Sequence, residues 1–180
     1  MTDDAAERHR SSSYVWGPLS ALGLAVAVVA CGLDQATKLW LLLVFDLADR
    51  APVAVAPFAD LVLTWNSGIS YGLLRQQGPV GAWALMAFKA AAVVFLWGWL
   101  ARSASRLTAV ALGLIIGGAL GNAVDRLHWP GVMDFIYLHV ETATWSFRWY
   151  VFNLADTAIV AGVLGLLYES VRGGGAAKAP

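Results

Sequence analysis

The chain has 180 residues, 59% hydrophobic and only 13% charged, where an ordinary soluble domain carries roughly 25% charged residues. Twelve basic residues balance twelve acidic ones, and without a cationic surplus to neutralise phosphates the chain does not suit a nucleic-acid partner. A single cysteine, Cys31, excludes a disulfide scaffold and a Cys-based zinc site, and nine Trp suit the interfaces of an integral membrane protein.

The first residues, about 1–15, are polar and lack apolar periodicity, which predicts a disordered tail carrying Arg8 and Arg10. An apolar stretch follows over 16–44. Within it Val28-Val29-Ala30-Cys31 resembles a lipoprotein cleavage box, but the apolar run continues through Val44, so it reads as a span and not as a cleaved signal. Further apolar stretches cover 79–100, 107–124 and 154–171, each close to the ~20 residues that cross a bilayer as a helix. Four crossings put both termini on one side. Arg102, Arg106, Arg172 and Lys178 join the tail arginines there, against Arg50, Arg75, Arg126 and Arg148 on the other side, which favours cytoplasmic termini. The segments 45–78 and 125–153 then face outward. Their Pro and Gly residues and extended-looking runs, such as Pro57 to Trp65, predict a small β-rich cap. Trp40, Trp65, Trp129, Trp145 and Trp149 fall at the outer side and Trp16, Trp97 and Trp99 at the inner one. Residues 172–180 form a second polar tail. The predicted architecture is an all-α membrane bundle of four transmembrane helices, residues 16–171, with a small extracytoplasmic cap.

Polar side chains inside the spans are informative because each costs on the order of 2.5–3.5 kcal/mol to insert. Asp34 stands sixteen residues past Pro18, Asn122 sixteen past Arg106 and Asp156 sixteen before Arg172. At 1.5 Å per residue, all three lie ~24 Å above the inner ends, so three spans mark one depth. Asp34 and Lys38 are i,i+4 with the acid first, the favoured order for a helix ion pair and a scaffolding arrangement. Asn122 and Arg126 share one helix face and can grip peptide carbonyls or a head group; Asp125 and Arg126 can equally close a helix end. Asn153 and Asp156 fit an N-cap with an acid three residues on, and the spacing leaves capping and function both open. Asp134 is the only acid in the β-rich run from Val132 to Val140 and has no helix to cap.

No Ser comes with a His partner, and neither a His-Glu-x-x-His zinc signature nor a phosphate loop is present. Acids and amides remain. Two carboxylates sharing a site can divide the labour of hydrolysis, one ionised to activate water and one protonated to assist the carbonyl oxygen. The residues leave three outer acids eligible, Asp125, Asp134 and Asp156. The neighbouring Arg126 makes Asp125 the poorest proton shuttle.

Asp34-Gln-Ala-Thr-Lys38, Asn66-Ser-Gly68, Gly121-Asn122-Ala-Val-Asp125-Arg126, Val132-Met-Asp134-Phe135 and Phe152-Asn153-Leu-Ala155-Asp156 occur in the order of the motifs of the lipoprotein signal peptidase family, also called signal peptidase II, which the chain resembles from about residue 16 to 171. Met133 departs from the usual Val, and the loop between Asp134 and Asp156 is slightly long. The resemblance implies an aspartyl endopeptidase of the bacterial cytoplasmic membrane that cleaves diacylglyceryl-prolipoprotein on the amino side of the lipidated cysteine. It implies Asp134 and Asp156 as the catalytic pair, and Asn66, Asn122, Arg126 and Asn153 as residues that hold the substrate or a globomycin-type peptide. Asp34, Lys38, Asp125 and Gly121 are implied as structural support, with no metal or cofactor and a monomer in membrane lipid.

Two other readings compete. Intramembrane charges also mark ion pathways, and Lys89, midway along the second span, is the residue that fits one best. The other acids gather at one face and no inverted repeat is visible, which favours a Lys89 that snorkels or pairs toward the site. Asp134, Asp156 and Asn122 could alternatively hold Mg²⁺ in a lipid head-group enzyme.

Overall fold

A computed structural model describes residues 15–67 and 79–176. The sequence readings at Arg8, Arg10, Gly68, Arg75 and Lys178 lie outside them. Four long helices, α1 (Ser20–Leu43), α3 (Pro79–Ala101), α4 (Arg106–His128) and α5 (Leu154–Ala176), occupy the four predicted apolar stretches. A single turn, α2 (Leu47–Arg50), and the strands β1 (Val53–Ala56), β2 (Ala59–Asn66), β3 (Val132–Glu141) and β4 (Ser146–Arg148) complete the order. Among the described residues, α1, α4 and the Leu154–Arg172 part of α5 are long and apolar enough to cross a membrane, and α3 has a shorter apolar stretch, Met86–Ala101.

Helix α4 is the central element, packed by α1, α3 and α5. Its glycines permit this. A Cβ on Gly113 would stand 2.6 Å from the Gly23 carbonyl oxygen and one on Gly117 2.5 Å from that of Ala27, both on α1. Gly113, Gly117 and Gly121 recur every fourth residue, the small-residue stripe that lets helix backbones approach in lipid, where apolar burial supplies no drive. The core between them is Ala27, Leu100, Ala109, Leu112 and Ile116. The bundle's outer surface is apolar, with Val28, Val29, Leu33, Phe88, Val94, Phe95, Val163 and Leu164 all exposed.

The sheet is antiparallel in the order β1-β2-β3-β4. It is fastened to the bundle by a second core of Leu41, Leu47, Met133 and Phe135. Met133 is almost completely buried in this core, at 1% exposure. Between Asp134 and Asp156 the chain forms the β3–β4 hairpin, on which Trp145, Phe147 and Trp149 form a ladder with ring centroids 5.9 and 5.8 Å apart. Trp16 packs on Trp97 at one end of the bundle, and Trp65 on Trp129 at the other. Helix α4 runs a few residues past the apolar stretch, to His128, and carries Asn122 and Arg126 together as their spacing predicts; Asp125 near its end is buried against Lys38 and Gln35.

Candidate active site

Strand β3 carries Asp134 at a position opposite Thr64, and the Asn66 carboxamide of β2 donates to Asp134 Oδ2 at 3.1 Å. The other Asp134 oxygen accepts from Asn153 Nδ2 at 2.7 Å. Asn153 is also the N-terminal cap of α5: its Oδ1 accepts from the Asp156 N–H at 2.9 Å while Asp156 Oδ2 accepts from the Asn153 N–H at 3.3 Å. Capping and site-building, open alternatives from spacing, are therefore performed by one side chain, with its oxygen turned to the helix and its amide to Asp134.

Asn122 closes the circuit. Its Nδ2 donates to Asp156 Oδ1 at 2.9 Å and its Oδ1 accepts from Asn153 Nδ2 at 3.1 Å, so Asp134 and Asp156 are linked through two carboxamides. Each acid keeps lone pairs to spare. Both line one cavity of about 640 Å³, walled by Trp149, Tyr150 and the α5 residues Ile159, Val160 and Leu164. Burial raises the Asp134 carboxyl to about 6, and the Asp156 charge adds to the rise, against the opposing hydrogen bond from Asn66. Arg126 Nη1 donates to the Asn122 carbonyl at 3.1 Å, and its charge is felt by Asp125, Asp134 and Asp156.

Beneath this layer lies a buried ionic clasp. Lys38 Nζ donates to Asp34 Oδ2 at 2.8 Å and to Asp125 Oδ2 at 2.7 Å. Asp34 in turn accepts the N–H of Ala155 at 3.0 Å, next to Asp156, and Asp125 accepts the N–H of Met133 at 3.0 Å, next to Asp134. One ammonium thus ties together the two carboxylates that anchor the backbone beside each acid of the pair. Gly121 is required here, since a Cβ would stand 2.8 Å from Asp34 Oδ2. Gln35 enters the sequence reading only inside the Asp34–Lys38 motif, yet its amide donates to Asp125 Oδ1 at 2.8 Å and to the Gly121 carbonyl at 3.0 Å. Its position beside Asp34 and three residues before Lys38, on the same helix sector, was the available signal.

The family model for signal peptidase (SPase) II matches residues 26–172. The chain belongs to the signal peptidase II family. It is 57% identical over 159 residues to the lipoprotein signal peptidase of Rhodopseudomonas palustris strain TIE-1, covering 88% of this chain and 97% of that protein. Over 158 residues it is 58% identical to that of Nitrobacter hamburgensis, covering 88% and 96%. A bacterial membrane enzyme solved by the in meso method shares the fold, with a TM-score of 0.65 at 24% identity over 84% of this chain and 88% of that one. The chain is therefore a protease of the signal peptidase II type. Its membership favours peptide hydrolysis over the ion-pathway and head-group readings, and the polar motif residues Asp34, Lys38, Asn66, Asn122, Asp125 and Asn153 lie in or beneath the Asp134 and Asp156 cluster.

Proposed function

We propose that this protein removes the signal peptide from diacylglyceryl-modified prolipoproteins on the amino side of the lipidated cysteine, with Asp134 and Asp156 as the catalytic pair. The observation that carries the assignment is the pair itself: two carboxylates at one cavity, linked through Asn153 and Asn122, with Asp134 raised to about 6. Asp125, the third acid left open by the sequence, is 1% exposed and engaged by Lys38, Gln35 and the Met133 N–H. A carboxylate so fully occupied is a poor proton carrier.

In the reacting form the pair shares one proton, carried here by Asp134, the acid that burial raises. Water between them gives a proton to Asp156 as its oxygen bonds to the scissile carbonyl carbon, while Asp134 protonates the carbonyl oxygen. The gem-diol then returns a hydroxyl proton to Asp134, the C–N bond breaks, and Asp156 delivers its proton to the departing cysteine amine. Asn66 and Asn153 hold Asp134, and Asn122 holds Asp156. Arg126, whose Nη1 also donates to the Asn122 carbonyl, is the residue this reading assigns to substrate carbonyls, with Asn122 acting through its bonds to Asp156 and Asn153.

The reading includes four transmembrane helices, α1, α3, α4 and α5, in the bacterial cytoplasmic membrane, with cytoplasmic termini and the sheet as an extracytoplasmic cap. The apolar exposed surface, the Trp pairs at both ends of the bundle and the basic bias of the inner side support it. A site ~24 Å above the inner ends suits a substrate whose acyl chains remain in lipid while its peptide reaches the head groups. A globomycin-type peptide would occupy the same cavity, and the enzyme acts as a monomer without a cofactor. The test is cleavage of a diacylglyceryl-modified prolipoprotein by the purified protein in detergent with EDTA. Cleavage persists with the chelator and is lost in Asp134→Asn and in Asp156→Asn. Loss with EDTA returns the Mg²⁺ reading, and a dead Asp125→Asn beside an active Asp134→Asn moves the catalytic role to Asp125.

A further inference from the structure

The cavity that holds the acid pair is bounded on one side by a stripe of α5 that the mechanism above does not use. Asp156, Val160 and Leu164 follow one another at four-residue steps, with Thr157 and Ala161 beside them, and all five line that cavity. Helix α5 packs on α4 through Ala155, Ile159 and Gly162, so the stripe lies on the side turned away from α4. There Val160 and Leu164 are 57% and 59% exposed, and Ala161 is exposed as well. Trp149 and Tyr150, just past β4, border the same cavity. The acid pair thus opens onto the lipid-facing side of α5. From Asp156 to Leu164 the stripe runs ~12 Å at 1.5 Å per residue, most of the ~15 Å depth of one leaflet, half of a ~30 Å hydrocarbon core.

A helix, an extended peptide and an acyl chain compete for such a track. A helix ~10 Å across displaces on the order of 1,000 Å³ over that length, more than the cavity's 640 Å³. An extended peptide brings a backbone donor and acceptor at each residue, which hydrocarbon cannot satisfy. Val160, Ala161 and Leu164 carry no side-chain partner for them, the α5 backbone is spent on its own helix, and the Thr157 hydroxyl donates to the Asn153 carbonyl at 3.1 Å. An acyl chain asks for no hydrogen bond. We propose that Val160, Ala161 and Leu164 seat one acyl chain of the substrate's diacylglyceryl group, which leads the lipidated cysteine to the acids along α5. Lipid tails are as apolar as Leu, so moving from bulk lipid to the stripe supplies little binding energy. The seat instead fixes where the scissile bond lies against Asp134 and Asp156, and its effect falls on kcat. Ala161, the smallest side chain on the stripe, keeps the track open and is its specificity-determining residue.

This inference rests on the prolipoprotein reading above. The experiment measures kcat and KM of the full-length protein, Ala161→Phe, Leu164→Ala and Val163→Phe in detergent on two prolipoproteins of identical sequence, one carrying hexadecanoyl and one butanoyl chains. Asp134→Asn and Asp156→Asn are run alongside. Wild type turns over the long-chain substrate at least about tenfold faster in kcat, the scale of a displaced reacting bond. Ala161→Phe, which fills the track, brings this preference to within about twofold, and Leu164→Ala, which removes its far wall, lowers it at least about threefold. Val163→Phe adds the same ring on the exposed side of α5 outside the cavity and keeps the wild-type preference. A wild type indifferent to chain length overturns the proposal. So does an Ala161→Phe protein slowed equally on both substrates, which gives the track to the peptide, or a Val163→Phe protein that loses the preference equally, which assigns it to the bulk lipid around α5. If Ala161→Phe does not fold, an unchanged preference in Leu164→Ala overturns it. Cleavage of neither substrate by wild type, or cleavage surviving in both Asp variants, removes the reading beneath; cleavage that needs both acids, beside a preference that no α5 variant alters, removes the seat alone.

Discussion

Replacing Lys38 by Met removes the cation from the clasp beneath the site while keeping much of its volume. Lys38 is 3% exposed, Asp34 0% and Asp125 1%, so neither carboxylate can turn to water when the ammonium at 2.8 and 2.7 Å is gone. Breaking a buried ion pair by deleting one partner costs about 3–5 kcal/mol, because the remaining charge is uncompensated. Two charges are left here, partly met by Gln35 and by the N–H groups of Ala155 and Met133, which keeps the cost within that range. For a chain of this size each kcal/mol shifts the melting temperature by about 2–4 °C, so Lys38→Met should melt on the order of 10 °C lower. The nine Trp make intrinsic fluorescence in detergent a suitable probe. Because Asp34 and Asp125 hold the backbone beside Asp156 and Asp134, activity should fall as well. Combining Lys38→Met with Asp34→Asn and Asp125→Asn removes the orphaned charges and should recover at least half of the lost stability. A Lys38→Met protein that melts within about 2 °C of wild type, or a triple variant no more stable than the single one, would refute the electrostatic account of the clasp.

Two further outcomes follow from the pair itself. The raised carboxyl of Asp134, at about 6, predicts a basic limb in kcat/KM near pH 6 for the free enzyme: deprotonation on raising the pH removes the general acid, so activity falls as pH increases through that value. The kcat limb should lie higher, since bound substrate excludes water and disfavours the charged form further; a kcat/KM that climbs between pH 6 and 8 would show that Asp134 is not the proton holder. Asn153→Ser keeps an oxygen able to cap α5 but deletes the amide that reaches Asp134 and Asn122. Its stability should fall by about 1–3 kcal/mol, the cost of leaving buried acceptors unmet, while kcat of the folded protein falls about a hundredfold, measured by melting and by prolipoprotein cleavage; a stability loss with kcat of the folded protein unchanged would make Asn153 structural and nothing more.

The four long helices were legible because an apolar run of bilayer length has few other solutions, and the common depth of Asp34, Asn122 and Asp156 follows from a rise per residue that does not depend on context. The strands around Pro57 to Trp65 and Val132 to Val140 were legible from composition. Less visible was what holds Asp125. Beside Arg126 it looks like an exposed acid closing a helix end until Lys38 and Gln35, some ninety residues earlier, are known to bury it.

The chain's own order of residues determined that it is a membrane protein, that its costly polar groups share one layer, and that Asp125, Asp134 and Asp156 were the acids to consider. Tertiary structure decided how they divide. Asp125 is consumed by a lysine on another helix, whereas Asp134 and Asp156 meet carboxamides and, at Asp156, the Asn153 backbone N–H, and open onto a cavity. The physical reason is that a carboxylate's chemistry depends on what desolvates and pairs it, and those partners come from α1, α4, α5 and the sheet, brought together by helix packing that local spacing does not encode.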